Sequence, residues 1–275
     1  MARRRYAEEL RALSRLRSEL LVEAFARVPR ERYLGAGPWR VRRPSLQGGY
    51  TDTPDADPRH LYHDVLVAID EERRLNNGQP SGLALWLDQI ELARGESVVH
   101  VGCGLGYYTA VIADVIGSRG SLLALELDPH LAERARSHLA ELPWVEVHQA
   151  DGSQGPLPPS DAVFVNAGAT HPAREWLECL KPGGRLLFPL TVSSKPTLPG
   201  FGHFLRIVRE EDRFSAGFVS PVGIYPCLGA RDESANERLR ASFGRGGEAQ
   251  VSRLRLDDHT ETGECWLHAP DFCLA

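Results

Sequence analysis

The sequence predicts an α/β fold: a doubly wound, mostly parallel sheet with an antiparallel edge, preceded by a helical segment and followed by a C-terminal extension. Three observations carry this prediction. Between residues 97 and 190, short apolar runs alternate with helical segments of about ten residues, the arrangement that covers both faces of a parallel sheet. Three glycines at alternate positions, Gly102, Gly104 and Gly106, follow the first of these runs and open onto a helix. Beyond residue 200 two longer runs follow one another directly, as paired strands at an antiparallel edge do.

The elements follow in order. Residues 6–28 (YAEELRALSRLRSELLVEAFARV) place Leu10, Leu13, Leu16, Leu20, Leu21 and Phe25 on one stripe of a helix, which Pro29 closes. Residues 35–60 are rich in Gly, Pro and Asp without periodicity and read as a long irregular connection. HDVLVAID (63–70) is a short strand, RLNNGQPSG (74–82) carries turn chemistry, and LALWLDQIEL is a helix. SVVHV is a buried strand, YYTAVIADVI a helix ended by Gly117, and SLLALEL a second strand. PHLAERARSHLAEL is a helix with Pro129 in its first turn, and VEVHQA and DAVFVNA are two further strands. PAREWLECL is a helix, and Pro182-Gly183-Gly184 turns the chain into a fifth strand, RLLFPL. HFLRIVRE and RFSAGFVSPVGIYP form the paired edge; a helix (ESANERLRASF) and two hairpin strands (VSRLRL, CWLHA) complete the chain. Three regions result: 1–90, a helical cap with a loop; 91–230, the sheet domain; and 231–275, the extension.

Composition narrows the function classes. The chain has 275 residues, 42% apolar and 25% charged, as soluble globular proteins do. A net charge of −5 argues against broad nucleic-acid binding. Residues 1–43 hold twelve Arg against five Glu, which reads as solvated helix faces or as a docking surface for an acidic partner. No apolar run nears the roughly 20 residues that a membrane span needs. The basic start MARRRYAEEL leads into no apolar signal segment, so a cytoplasmic location is expected. Cys103, Cys179, Cys227, Cys265 and Cys273 are odd in number and lack a CxxC, so reduced thiols are expected, with neither a disulfide framework nor a zinc site. His60 and His63 lack a third ligand, and no metal is expected there.

The glycine loop points to a nucleoside cofactor. Ligands of open parallel sheets lie beyond the strand C-termini, where strand order reverses, and the absence of Cβ atoms lets a loop turn tightly against one. The dinucleotide fingerprint needs G-x-G-x-x-G, but here the third glycine position is Tyr107 and the pattern is G-x-G-x-G. S-adenosylmethionine is the alternative cofactor that such a loop serves. Glu126 ends the second strand, where either cofactor's ribose wants an acid; Asp151-Gly152 ends the third strand, where an Asp suits an adenine amino group.

VVHVGCGLGYYTAVIADVIG, DAVFVNAGATHP and LECLKPGGRLLFPL, with AFARVPRERYL ahead of them, resemble the protein-L-isoaspartate O-methyltransferase family over roughly residues 20–225. The resemblance implies a Rossmann-like sheet of the class I methyltransferase type. It also implies S-adenosylmethionine held by Gly102, Cys103, Gly104, Gly106 and Tyr107, with Glu126-Leu127 at the ribose, Asp151-Gly152 at the adenine, and Asn166 at the end of the fourth strand. Asn77-Gly78-Gln79-Pro80-Ser81 corresponds to the family's substrate loop, so Gln79 and Ser81 are the candidate substrate contacts. His100 stands where the family usually has an acid.

Methyl transfer is an in-line displacement, and positioning alone supplies about 7–11 kcal/mol of barrier reduction. A carboxylate acceptor is ionised at neutral pH and needs no base; an amine or hydroxyl acceptor needs one, for which His171 is the candidate. Ser81 is either a substrate contact or the N-cap of the helix after it. The expected activity is O-methylation of a carboxylate on a protein or peptide. Open alternatives are methylation of another small-molecule or peptide nucleophile, a nucleotide-dependent oxidoreductase, and a non-catalytic cofactor-binding homologue. The apolar C-terminus CWLHAPDFCLA packs on the sheet or on a second copy of the chain.

Overall fold

Local chemistry sets most element ends. In the computed structural model, which describes residues 1–42, 49–195 and 198–275, α1 (Ala2–Ser14) stops at Arg15 in a left-handed conformation. Helix α2 (Glu19–Arg27) starts at Ser18, whose hydroxyl accepts a hydrogen bond from the Leu21 N–H. Strands β1 (Arg40–Arg42), β2 (Thr51–Asp52), β3 (Leu66–Asp70) and β4 (Leu75–Asn76) precede α3 (Pro80–Gln89). Next come β5 (Ser97–Val101), α4 (Tyr107–Ile116), β6 (Ser121–Glu126), α5 (Pro129–Leu139), β7 (Val145–Gln149), β8 (Ser160–Val165) and α6 (Arg174–Glu178). The chain continues through β9 (Leu180–Val192), β10 (Gly200–Arg209), β11 (Phe214–Ile224), α7 (Glu233–Arg245), β12 (Arg253–Arg255), β13 (Leu267–His268) and β14 (Cys273–Leu274).

The elements group into two compact units interleaved along the chain: Met1–Gly95, Cys103–Leu122 and Asp128–Gln149 form one, and Glu96–Gly102, Leu123–Leu127 and Ala150–Ala275 the other. The first unit differs from expectation at its start, where the single helix over 6–28 is two helices. The break is capped from a distance: the Arg17 and Ser18 N–H groups donate to Asp88 Oδ1 at 3.0 and 2.8 Å. The stripe is interrupted accordingly, and Leu13 is 57% exposed while Leu10, Leu21 and Phe25 are buried. The irregular 35–60 connection contains β1 and β2, which pair antiparallel, and β1 also pairs with β3; residues 43–48 of that connection lie outside the described residues.

In the second unit the strands run in the order β13-β14-β12-β11-β10-β9-β8-β5-β6. β5, β8 and β9 pair parallel, and β10 and β11 form the antiparallel hairpin that the two long runs foretold. The order reverses at β5, which has β6 on one side and β8 on the other. The Lys181–Gly184 turn lies inside β9: Ser160 pairs with Leu180 and Ala162 with Arg185, so the four residues bulge from the ladder. Arg185 closes this end with a bidentate ion pair to Glu96 at 2.7 and 3.0 Å, and Lys181 Nζ lies 2.8 Å from Asp161. Val99, Val101, Val163, Val165, Trp176, Leu186 and Phe188 build the core on one face. Alternating apolar residues on central parallel strands have nowhere else to go, because both faces are covered.

Candidate functional site

Six candidate residues of the second unit lie at strand ends on one edge. Gly102 leaves β5 with φ +76 and donates its N–H to Leu125 O at 2.8 Å; a Cβ on it would stand 3.4 Å from Asn166 O. Asn166 leaves β8 with its N–H on Val101 O at 2.8 Å. Its Oδ1 is buried and has no hydrogen-bond partner among the described residues. Glu126 ends β6, its backbone carbonyl accepting the Ala150 N–H at 3.0 Å, and Leu127 beside it is an apolar side chain left 43% exposed. Gly152 packs on Val101, whose Cγ1 would be 2.5 Å from an added Cβ, and its carbonyl accepts from Trp176 Nε1 at 2.7 Å. Asp151 Oδ1 accepts from the Ser153 N–H at 3.0 Å and from Ser153 Oγ at 2.7 Å. Its other oxygen faces the Gly229 Cα, where a Cβ would come within 2.0 Å, so Gly229 leaves room for that carboxylate. Gly229 escaped sequence reasoning because it sits 78 positions downstream of its partner.

The remaining cofactor candidates belong to the first unit. Gly104 (φ +56) has no atom within 4 Å of where a Cβ would stand, so its freedom serves the backbone turn and the open space before it. Gly106 (φ +90) has a different cause: a Cβ there would meet Leu139 Cδ1 of α5 at 2.9 Å, which makes this glycine a packing requirement. Cys103 is buried. Tyr107 is buried too, its ring 4.9 Å from Tyr108 and 5.7 Å from Tyr33, so its side chain serves the core and only its backbone remains for a ligand.

Gln79 and Ser81 are brought together by a residue that sequence reasoning missed. Asp64 Oδ2 accepts from Ser81 Oγ at 2.8 Å and from Gln79 Nε2 at 3.0 Å, while its Oδ1 accepts the Ser81 N–H at 2.8 Å. Ser81 is therefore not the N-cap of α3. Gln79 occupies that position without a side-chain cap bond, and Asp64, 17 residues upstream of Ser81, takes the orphan donor instead. The loop is anchored further at Asn77, whose Oδ1 accepts from Arg30 at 3.1 Å and from the Val67 N–H at 3.0 Å. Arg30 is fully buried and also donates to Leu61 O and Val65 O, both at 2.7 Å. Tyr108 Oη on α4 donates to Gly78 O at 3.4 Å, which ties the loop to the helix after the glycines.

His171 lies in the second unit, with its Nδ1 3.0 Å from Thr170 Oγ1. Burial lowers its pKa, against the opposing field of Asp232. His100 is fully buried on β5, 5.3 Å from Phe164, and burial pushes it down to about 3. It is a neutral core side chain, not a replacement for an acid. Burial raises Cys179 to about 11 and Cys227 to about 12, so neither is a thiolate nucleophile at neutral pH.

Comparison with known proteins places these observations in a lineage. The family model for protein-L-isoaspartate(D-aspartate) O-methyltransferase matches residues 3–200. The chain is 32% identical over 189 residues to protein-L-isoaspartate O-methyltransferase 1 of Archaeoglobus fulgidus, covering 63% of this chain and 84% of that protein. A solved protein-L-isoaspartate O-methyltransferase superposes with a TM-score of 0.65 at 21% identity, over 92% of this chain and 73% of the other. A second, from Plasmodium falciparum in complex with S-adenosyl-L-homocysteine, gives 0.61 at 16% identity, over 82% and 97%. The two structures establish the class I methyltransferase fold.

Proposed function

The chain belongs to the protein-L-isoaspartate(D-aspartate) O-methyltransferase family, and from that premise we propose that it methylates the free carboxylate of isoaspartyl residues in peptides or proteins, using S-adenosylmethionine. The observation that carries the cofactor assignment is Asn166 Oδ1. It is a buried acceptor with no partner among the described residues, at the end of β8 where strand order reverses. An acceptor left so costs about 1–3 kcal/mol unless a ligand donor reaches it, and an amino group is a matching donor. When bound, S-adenosylmethionine supplies an electrophilic methyl on a sulfonium with a good leaving group.

The protein's part is to hold and orient. In the second unit, Glu126 takes ribose hydroxyls, Leu127 covers an apolar ring face, and Asp151, kept in place by Ser153, receives the adenine amino group beside Gly152. Gly102 gives the backbone room for close approach. In the first unit, the backbone of Cys103, Gly104, Gly106 and Tyr107 lies along the turn into α4.

Substrate recognition falls to Gln79 and Ser81. The Ser81 hydroxyl proton is directed to Asp64, so Ser81 in this rotamer receives donors such as a peptide N–H; it donates to a substrate carboxylate only by turning away from Asp64. An isoaspartyl carboxylate is already ionised at neutral pH, so no general base is required, and His171 acts as a polar structural residue. We place the protein in the cytoplasm. All five cysteines are free, which fits a reducing compartment, and no described helix is long and apolar enough to cross a membrane.

The test is a pair of peptides of one sequence, with isoaspartate in one and aspartate in the other. Methyl ester formation on the isoaspartyl peptide, at least about a hundredfold faster than on its partner, is the expected result. Equal rates on both, or transfer to neither while S-adenosylhomocysteine still raises the melting temperature, would shift the acceptor to another nucleophile and leave the cofactor assignment standing.

A further inference from the structure

The chain beyond residue 251 holds three strands of two or three residues each, β12, β13 and β14. Strands this short contribute little stability by themselves. They converge on four side chains of metal-ligand chemistry. His259, Cys265, His268 and Cys273 each present one ligating atom, and the four atoms lie within 4.8 Å of one another. We propose that this quartet is a tetrahedral Cys2His2 zinc site that fastens the C-terminal segment to the edge of the sheet.

The fold builds the site from three directions. His268 and Cys273 are direct cross-strand partners in the β13–β14 hairpin, closed by the Ala269 N–H on Phe272 O at 2.9 Å. Arg255 at the end of β12 pairs with the same Cys273, and His259 comes four residues later. Cys265 enters through a turn in which its N–H donates to Thr262 O at 3.0 Å, and the next residue, Trp266, donates to Leu274 O at 2.8 Å. The spacing H-x5-C-x2-H-x4-C thus gathers ligands from both strands of a hairpin and the approaches to it.

The local geometry favours metal over an incidental cluster. His259 Nδ1 stands 2.8 Å from the Asp257 carbonyl oxygen. A proton donated there leaves a lone pair on Nε2, the atom that faces Cys265 Sγ at 3.7 Å. Histidine ligands are commonly held by such a bond to a carbonyl on their other nitrogen. Tetrahedral zinc with Zn–S near 2.3 Å and Zn–N near 2.0–2.1 Å separates its ligand atoms by roughly 3.3–3.8 Å, so the quartet closes by small side-chain rotations. His268 Nδ1 is buried with no hydrogen-bond partner among the described residues, and the Thr262 N–H points at Cys265 Sγ, 3.4 Å away, as N–H donors do toward metal-bound sulfur. Two thiolates and two imidazoles select zinc among common divalent ions, and four protein ligands leave no open position. The site is therefore structural.

The test uses the full chain, purified with reductant and without chelator. Elemental analysis is expected to find about one zinc per chain, and the Cys265→Ser/Cys273→Ser variant to carry none. Because that variant could fail to fold, metal-stripped wild-type protein is also titrated with cobalt(II). Tetrahedral ligand-field bands and a thiolate-to-cobalt charge-transfer band, saturating at one equivalent and reversed by zinc, support the site. Wild-type protein without zinc and without cobalt bands overturns it. So does full metal content in the double variant, and so does an intact mass two hydrogens lower that reports a Cys265–Cys273 disulfide in metal-free protein.

Discussion

Gly152 and Val101 offer a sharp test of how the cofactor edge is packed. An added Cβ at Gly152 would stand 2.5 Å from Val101 Cγ1 and 3.0 Å from Cγ2. Neither side can retreat cheaply. Val101 is buried on β5 and paired with Val165, and the Gly152 carbonyl is held by Trp176 Nε1 at 2.7 Å. Overpacking of this kind costs about 1–3 kcal/mol, so Gly152→Ala is expected to lose about 2 kcal/mol. For a chain of this size that lowers the melting temperature by about 4–8 °C. Val101→Ala removes two buried methyl groups and leaves a void, again about 2 kcal/mol. In the double variant the new methyl enters the space that Val101 vacates. The pair should then lose about 2 kcal/mol where simple addition gives about 4, a coupling near −2 kcal/mol. Thermal and urea unfolding of the four proteins measure it. Additive losses would refute the reasoning, because they would mean that residue 152 and Val101 do not compete for one volume.

Four further outcomes are expected. Gly104→Val has room for its side chain, since no atom lies within 4 Å of its Cβ position, but φ +56 strains a β-branched residue, so the variant loses about 1–3 kcal/mol of stability and at least about a hundredfold in S-adenosylhomocysteine affinity; calorimetry showing unchanged affinity would remove Gly104 from the site. Ser81→Ala lowers kcat/KM for isoaspartyl peptide by about tenfold with cofactor affinity unchanged, as loss of one hydrogen bond of roughly 1.4 kcal/mol does; equal losses in both would make Ser81 purely structural. His171→Asn keeps activity within about threefold from pH 6 to 8, because an ionised acceptor needs no base, and a hundredfold drop would call for another acceptor. His100 is held neutral with its pKa lowered to about 3, so the unfolded chain binds the extra proton between about 6.5 and 3. Stability is then fully present above about pH 6.5 and falls as pH drops toward 3, by about 2 kcal/mol between pH 7 and 5; His100→Gln should lack this component, and identical pH slopes in the two proteins would contradict it.

The sequence was most legible where a segment's fate rests on its near neighbours. YYTAVIADVI is α4 at both ends, because Gly106 and Gly117 bound it and its apolar residues leave no exposed face. The predicted pairing beyond residue 200 is the β10–β11 hairpin. The glycine loop, Glu126, Asp151 and Asn166 follow the strands that the pattern identified. By contrast, the break at Arg15–Ser18 has only the Ser18 cap as a local signal, and the acid that satisfies its remaining N–H groups, Asp88, lies 70 residues on from Ser18. Gly106 reads like its neighbours in the loop, yet its cause is Leu139.

Fold class, the order of elements from β5 to β11 and the strand-end residues were legible in the sequence alone, because backbone propensity, capping and hydrophobic period act within a few residues. Tertiary structure decided which polar group satisfies which. Asp64 behind Ser81 and Gln79, Arg30 under the loop, Gly229 against Asp151, and the convergence of His259, Cys265, His268 and Cys273 all depend on it. A buried donor or acceptor must find a partner wherever the fold provides one, and that partner's place along the chain leaves no local trace.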